Sequence, residues 1–176
     1  GPGDEVICPV NTWIGTIAPV PFLYARPIFC DINPDSLLLD PNDVRKKITE
    51  NTRCIVAVHL WGNVCNMDEI LAIGEEYKIP VIEDCSHAHG AKFKGKLCGG
   101  FGDMACWSLQ GSKAISGGEG GVLTTNNADA FERACLMSQV NRITGIDQVS
   151  RQYEEHQPLG LGMKLRAHPL GIGIAS

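Results

Sequence analysis

The chain has 176 residues, 44% of them hydrophobic, with a formal net charge of −5 at pH 7. That length supports a core of its own, and the acidic balance argues against a nucleic-acid surface. No apolar run approaches a membrane span, and no charged-then-apolar leader opens the chain.

In chain order, short apolar runs predict buried strands at Glu5–Pro9, Pro27–Asp31, Cys54–His59, Pro80–Asp84, Met104–Ser108 and Gly121–Thr125. Their brevity, with Val, Ile and Cys on both faces, suits strands covered on both sides. Helical patterns lie between them. Pro41 to Ile48 predicts a short helix, with Pro41 in the first turn. A second opens at Asn66 and carries Ile70, Leu71, Ile73 and Tyr77 on its apolar face. A third runs from Ala128 to Gln139, with Phe131, Ala134 and Cys135 inward and Asp129, Glu132 and Arg133 outward. From about Asn141 to Pro158 the pattern dissolves into polar residues, read as a mobile or partner-contacting loop. The chain stops within an apolar stretch that reads as a helix just begun. Strands separated by helices imply an α/β fold with a largely parallel sheet.

Eight cysteines are scattered, none with Cys-x-x-Cys spacing, so no zinc site is expected. Several lie in apolar strand-like runs, where cysteine behaves as a small buried hydrophobe. Reduced thiols and a cytoplasmic location are expected. The glycine pairs in Gly99-Gly-Phe-Gly102 and Gly160-Leu-Gly162 do not match a nicotinamide-binding fingerprint.

In such sheets chemistry gathers at the carboxyl ends of the strands. Asp84 ends one of them, after Val81-Ile-Glu. A buried carboxylate without a partner costs roughly several kcal/mol, so it calls for a cation. Its simpler role is to cap a turn through its own backbone. Downstream come Ser108-x-x-x-x-Lys113 and the cluster Gly117-Gly-Glu-Gly-Gly121. A carboxylate, a hydroxyl and a lone amine suit pyridoxal 5'-phosphate, whose aldehyde takes a lysine and whose ring nitrogen takes an acid. Lys113 sits in a small neutral segment with no other charge until Glu119, unlike an ordinary surface lysine.

Further pieces recur in order: Gly1-Pro-Gly-Asp-Glu-Val6, Pro9-x-x-Thr12-Trp13, Pro27-Ile-Phe-Cys-Asp31, Val58-His-Leu-Trp-Gly62, Ile82-Glu-Asp84-x-x-His87-Ala-His89-Gly90 and Gly99-x-x-Gly102-Asp103. With Ser108, Lys113 and Gly118-Glu-Gly-Gly121 they resemble the DegT/DnrJ/StrS family of pyridoxal-phosphate-dependent sugar or cyclitol aminotransferases. Gln110 and the Gly118–Gly121 segment look most like members acting on cyclitols or aminoshikimate-type rings.

The resemblance implies a three-layer large domain of the aspartate aminotransferase type, spanning residues 1–176 as an incomplete part. An earlier phosphate-binding segment and a later small domain would be missing, so these residues alone would be poorly active. It implies Lys113 as the Schiff-base lysine and proton carrier, and Asp84 as partner of the ring nitrogen. Ser108 would bind the phosphate and Trp13 would stack on the ring, although a Trp at a strand-to-helix transition is also ordinary core. His87 takes a place often held by Gln, near the ring; otherwise it reads as a satisfied polar group. Lys164 and Arg166 match a segment that reaches the partner subunit's phosphate in a homodimer, with Lys164 where the family commonly has Asn. Glutamate or glutamine would donate the amine to a keto-sugar nucleotide or keto-cyclitol. Relatives with histidine at the lysine position dehydrate deoxysugars instead, and Lys113 points away from them. An aminoshikimate-type aromatising enzyme, a catalytically silent sensor or scaffold, and a cofactor-free α/β binding domain remain as alternatives.

Overall fold

The structure, a computed structural model, describes residues 1–138, 153, 165 and 169–175. It divides into two compact units, Gly1–Ser108 and Leu109–Ser176.

The first unit contains strands β1 (Glu5–Pro9), β2 (Arg26–Cys30), β3 (Thr52–Val58), β4 (Val81–Asp84), β5 (Lys92–Phe93), β6 (Lys96–Leu97) and β7 (Met104–Ser108). Its helices are α1 (Ile14–Ile17), α2 (Pro19–Phe22), α3 (Pro41–Lys47) and α4 (Met67–Tyr77). Five strands lie in the order β2-β1-β3-β4-β7, every pairing parallel. The predicted strands are therefore present to within two residues at either end. Ile7, Ile55, Ala57 and Val81 from the sheet pack with Val44, Met67, Ile70 and Ile73 from α3 and α4 in one buried cluster. That apolar burial is the main stabilising term of the unit.

Local chemistry sets the helix limits. The Asp40 side chain accepts from the Asn42 N–H at the start of α3, Pro41 occupies the first turn, and Arg45, Lys46 and Lys47 fill the last. This is the charge order that a helix dipole favours. Helix α4 ends where Lys78 turns left-handed at φ 55°. Tyr77, predicted to face inward, is instead exposed; the last turn of α4 overhangs the core. Two short helices, α1 and α2, and the antiparallel hairpin β5–β6 were not predicted. Each is too short to show a period, and Lys94 and Gly95 make the hairpin turn at positive φ.

The second unit contains β8 (Gly121–Thr125), α5 (Ala128–Ser138) and α6 (Pro169–Ala175). Helix α6 occupies the apolar stretch read as a helix just begun. Gly117 and Gly171 approach so closely that a Cβ on Gly117 would lie 2.7 Å from the Gly171 carbonyl oxygen. The predicted faces of α5 need correction. Phe131 is 46% exposed, whereas Leu136 is fully buried and Glu132 is only 8% exposed. Strand β8 is also largely exposed, not covered on both faces. Of the polar stretch Asn141–Pro158 only Tyr153 is described; its hydroxyl donates to Asp129 and accepts from Arg133 Nε.

Candidate functional site

Parallel pairing aligns the carboxyl ends of the central strands. Val58, Asp84 and Cys106 stand in register across β3, β4 and β7. The ends of β1, β4 and β7 therefore deliver Trp13, Asp84 and Ser108 to the same edge of the sheet, as expected for an open parallel sheet.

Asp84 is 8% exposed. Its Oδ2 accepts a 2.6 Å hydrogen bond from Thr16 Oγ1 in α1, and its Oδ1 accepts from the Ser86 N–H at 3.0 Å. Its carbonyl accepts from the His59 N–H at 2.9 Å. Thr12 Oγ1 donates in turn to Thr16 Oγ1 at 2.9 Å. The turn-capping role of Asp84 is thus real but occupies one oxygen only, and both side-chain donors are neutral. Neither of these donors is a cation, and the carboxyl group has further lone pairs to offer, which fits a protonated ring nitrogen.

Trp13 precedes α1 in extended conformation and is 74% exposed. Core packing is therefore not its role. Gly15 makes room for the indole: a Cβ there would sit 3.1 Å from Trp13 Cδ1. Through Thr12 and Thr16, the segment carrying this indole is tied directly to Asp84. His87 is exposed and its carbonyl accepts from the Gly62 N–H, so it is not a buried core group. Ser108 is half-buried at the end of β7.

Lys113 belongs to the second unit. It is half-buried and its N–H closes a turn on the Gln110 carbonyl at 2.9 Å. Lys164 and Arg166, expected at a partner's phosphate, lie outside the described residues.

Thr16 and the buried system beside Asp84 were not among the expected site residues. Successive strand residues face opposite sides, so Glu83 points away from Thr16 and into the protein. Its Oε2 is 3.0 Å from His59 Nε2 and accepts from Gly99 N–H at 2.8 Å; its Oε1 accepts from Phe101 and Gly102 N–H, both at 2.7 Å. Cys65 N–H donates to His59 Nδ1, so the imidazole proton sits on Nε2 and points at Glu83. Burial pushes Glu83 up, but the donated hydrogen bonds from His59 and the three backbone N–H groups outweigh it and hold the carboxyl below its ordinary value. His59, Glu83 and Cys85 place ligand-type atoms within 4.8 Å of one another. Every imidazole and carboxylate atom there already has a protein partner, and burial raises the Cys85 thiol, so the cluster is a structural lock.

The glycines of the 99–102 loop have a purpose in this lock. Gly99 has φ +81°, and a Cβ there would fall 2.2 Å from Trp107 Cζ2; one on Gly102 would fall 2.5 Å from the Val81 carbonyl oxygen. Only glycine lets these amides reach the carboxylate. The signal was present in the sequence, in an acid inside an apolar strand followed by Gly-x-x-Gly.

All eight cysteines are free thiols. Burial is the leading cause that pushes Cys8, Cys30, Cys54, Cys65 and Cys106 up to about 12.

A parallel α/β sheet with a cation-seeking carboxylate at its carboxyl edge defines the class to which known proteins can be compared. Residues 1–175 match the DegT/DnrJ/EryC1/StrS aminotransferase family. The chain is 42% identical over 162 residues to the L-glutamine:scyllo-inosose aminotransferase of Streptomyces griseus, covering 92% of this chain and 36% of that protein. It is 36% identical over 173 residues to the GDP-perosamine synthase of Escherichia coli O157:H7, covering 98% and 46%. In structure it is similar to an aminotransferase from Psychrobacter cryohalolentis, with a TM-score of 0.89, 30% identity and coverage of 99% and 45%. It is also similar to the E. coli GDP-4-keto-6-deoxy-D-mannose-3-dehydratase with bound hydrated PLP, at a TM-score of 0.87 and 28% identity, covering 99% and 47%. The chain belongs to the DegT/DnrJ/EryC1/StrS aminotransferase family, and spans about a third to a half of the length of these relatives.

Proposed function

We propose that the whole protein is a pyridoxal-phosphate-dependent aminotransferase that moves an amino group from glutamine or glutamate to a keto-cyclitol or keto-sugar nucleotide. The observation that carries this is Asp84: a nearly buried carboxylate at the carboxyl edge of the sheet, held by two neutral donors. Such a group favours a bound cation, and the ring nitrogen of the cofactor is one.

When bound, the cofactor supplies an electron sink that makes the bond to the α-hydrogen of an amine donor labile. The protein's residues do the rest. Asp84 would pair with the ring nitrogen. Trp13, already exposed, presents a flat face for stacking. Ser108 would supply a hydroxyl for the phosphate, and His87, in the turn after Asp84, would lie near the ring. Lys113 would hold the cofactor covalently through its amine and would serve as the proton carrier. Lys164 is assigned to the phosphate of the partner subunit in a homodimer. A cytoplasmic location accords with eight free thiols, and no helix among the described residues is long and apolar enough to cross a membrane.

The relatives favour a cyclitol or sugar acceptor, because the two named above act on a scyllo-inosose and make a GDP-linked aminosugar by their names. The test is to incubate the protein with pyridoxal phosphate, glutamine and a panel containing scyllo-inosose, its 2-deoxy form and nucleotide-linked 4-keto-sugars. Formation of one aminated product by mass spectrometry supports the reading. Consumption of no acceptor and no amine donor refutes it.

A further inference from the structure

The Thr12–Thr16–Asp84 chain of hydroxyls has no place in the roles assigned so far. A carboxylate's χ2 torsion joins sp³ to sp² carbon and is soft, so one contact does not fix the plane of an aspartate. Here two contacts do. Ser86 N–H takes a lone pair on Oδ1, and Thr16 Oγ1 takes one on Oδ2 at 2.6 Å. The short O–H···O⁻ distance is that of a charge-assisted bond.

Proton direction follows from the acceptors. Thr16 Oγ1 donates to Asp84 Oδ2. Its oxygen is then open to a donor, and Thr12 Oγ1 lies 2.9 Å away. Both hydroxyls thus point toward Asp84, and such chains polarise one another. Thr12 lies just before α1 and Thr16 within it, four residues on, which brings the two side chains together. The same segment carries Trp13. One short stretch therefore sets both the plane of the carboxylate and the place of the indole.

We infer that Thr16 is a positioning residue, oriented by Thr12, whose hydroxyl fixes the Asp84 carboxylate plane so that its remaining lone pairs meet the ring nitrogen of the cofactor. This rests on the proposed cofactor reading. Thr16 does not touch the reacting atoms; it acts through Asp84.

The test compares Thr16→Val, which keeps the shape and loses the hydroxyl, with Thr16→Ser, which keeps the hydroxyl and loses the methyl. Each apoprotein is titrated with pyridoxal phosphate, following the visible absorption of the bound cofactor. Thermal unfolding of each apoprotein controls for folding. The expected result is an affinity about tenfold weaker for Thr16→Val, the size of one charge-assisted hydrogen bond, with Thr16→Ser within about threefold of the unmodified protein. Thr12→Val should give a smaller loss of the same sign. In an Asp84→Asn background, Thr16→Val should cause no further loss, because the partner through which it acts is gone. Equal affinities for all variants would overturn the inference. Equal losses for Val and Ser, or an undiminished loss in the Asp84→Asn background, would overturn it too by assigning the effect to packing. Failure of the unmodified protein to bind pyridoxal phosphate is a separate result, which overturns the cofactor reading and this inference with it.

Discussion

Removing the Glu83 carboxylate is the sharpest perturbation of the fold beneath the site. Glu83 and His59 are fully buried. Glu83→Ala strands four donors at once: His59 Nε2–H and the N–H groups of Gly99, Phe101 and Gly102, now 2.7–3.0 Å from the carboxylate oxygens. An unsatisfied buried donor costs about 1–3 kcal/mol. Four sum to more than a cooperative loop would retain, because the loop relaxes and admits water; the loss expected is about 3–5 kcal/mol, as for other broken buried pairs. Domains of this kind are stable by about 5–15 kcal/mol, so the variant is severely weakened. Glu83→Gln keeps an acceptor for Phe101 and Gly102 but turns an amide NH₂ toward His59 and Gly99, and should cost about half as much. Urea unfolding followed by tryptophan fluorescence and far-ultraviolet circular dichroism reads both. A loss below about 1 kcal/mol for Glu83→Ala, or a Gln variant as stable as the unmodified protein, would refute the lock.

Other outcomes follow from the same structure. Glu83 is held below the ordinary glutamate value of 4.5, so its contribution is fully present above that pH and is lost as pH falls through the lowered value; the stability gap between the unmodified protein and Glu83→Gln should narrow only below 4.5, and a gap constant from pH 7 to pH 3 would contradict this. Gly99→Ala and Gly102→Ala should each lower stability by about 2 kcal/mol or more in thermal unfolding, because their Cβ atoms would overlap Trp107 and the Val81 carbonyl; an unchanged midpoint in either would refute the close approach. Cys8, Cys65 and Cys106, pushed up to about 12 by burial, should be alkylated by iodoacetamide at pH 8 about a thousandfold more slowly in the folded protein than in urea, as read by peptide mass spectrometry. Comparable rates in both states would contradict the burial.

Much of this fold is legible in the sequence because parallel strands buried on both faces announce themselves as short Val, Ile and Cys runs. β1, β4 and β7 match closely for that reason. The short helices α1 and α2 are illegible for the opposite reason: four residues span little more than one turn, and no period can appear. The inward face assigned to α5 failed because polarity was taken for exposure, whereas Glu132 is buried and Phe131 exposed. The place of Asp84 at a strand end could be read from the sequence, and the structure puts it at the carboxyl end of β4. The hydrogen bond of Thr16 could not be read, since its partner lies 68 residues away in the chain. Glu83 was overshadowed by its neighbour Asp84, although the two face opposite sides of one strand and do different things.

The central proposal is that Lys113 forms the Schiff base of a bound pyridoxal phosphate. The most direct measurement is to add the cofactor to the protein and to its Lys113→Ala variant, record visible absorption, reduce with borohydride and map the labelled peptide. The account predicts a visible band in the unmodified protein, its loss in the variant, and the label on Lys113. No band in either protein, or a label on another lysine, would contradict it.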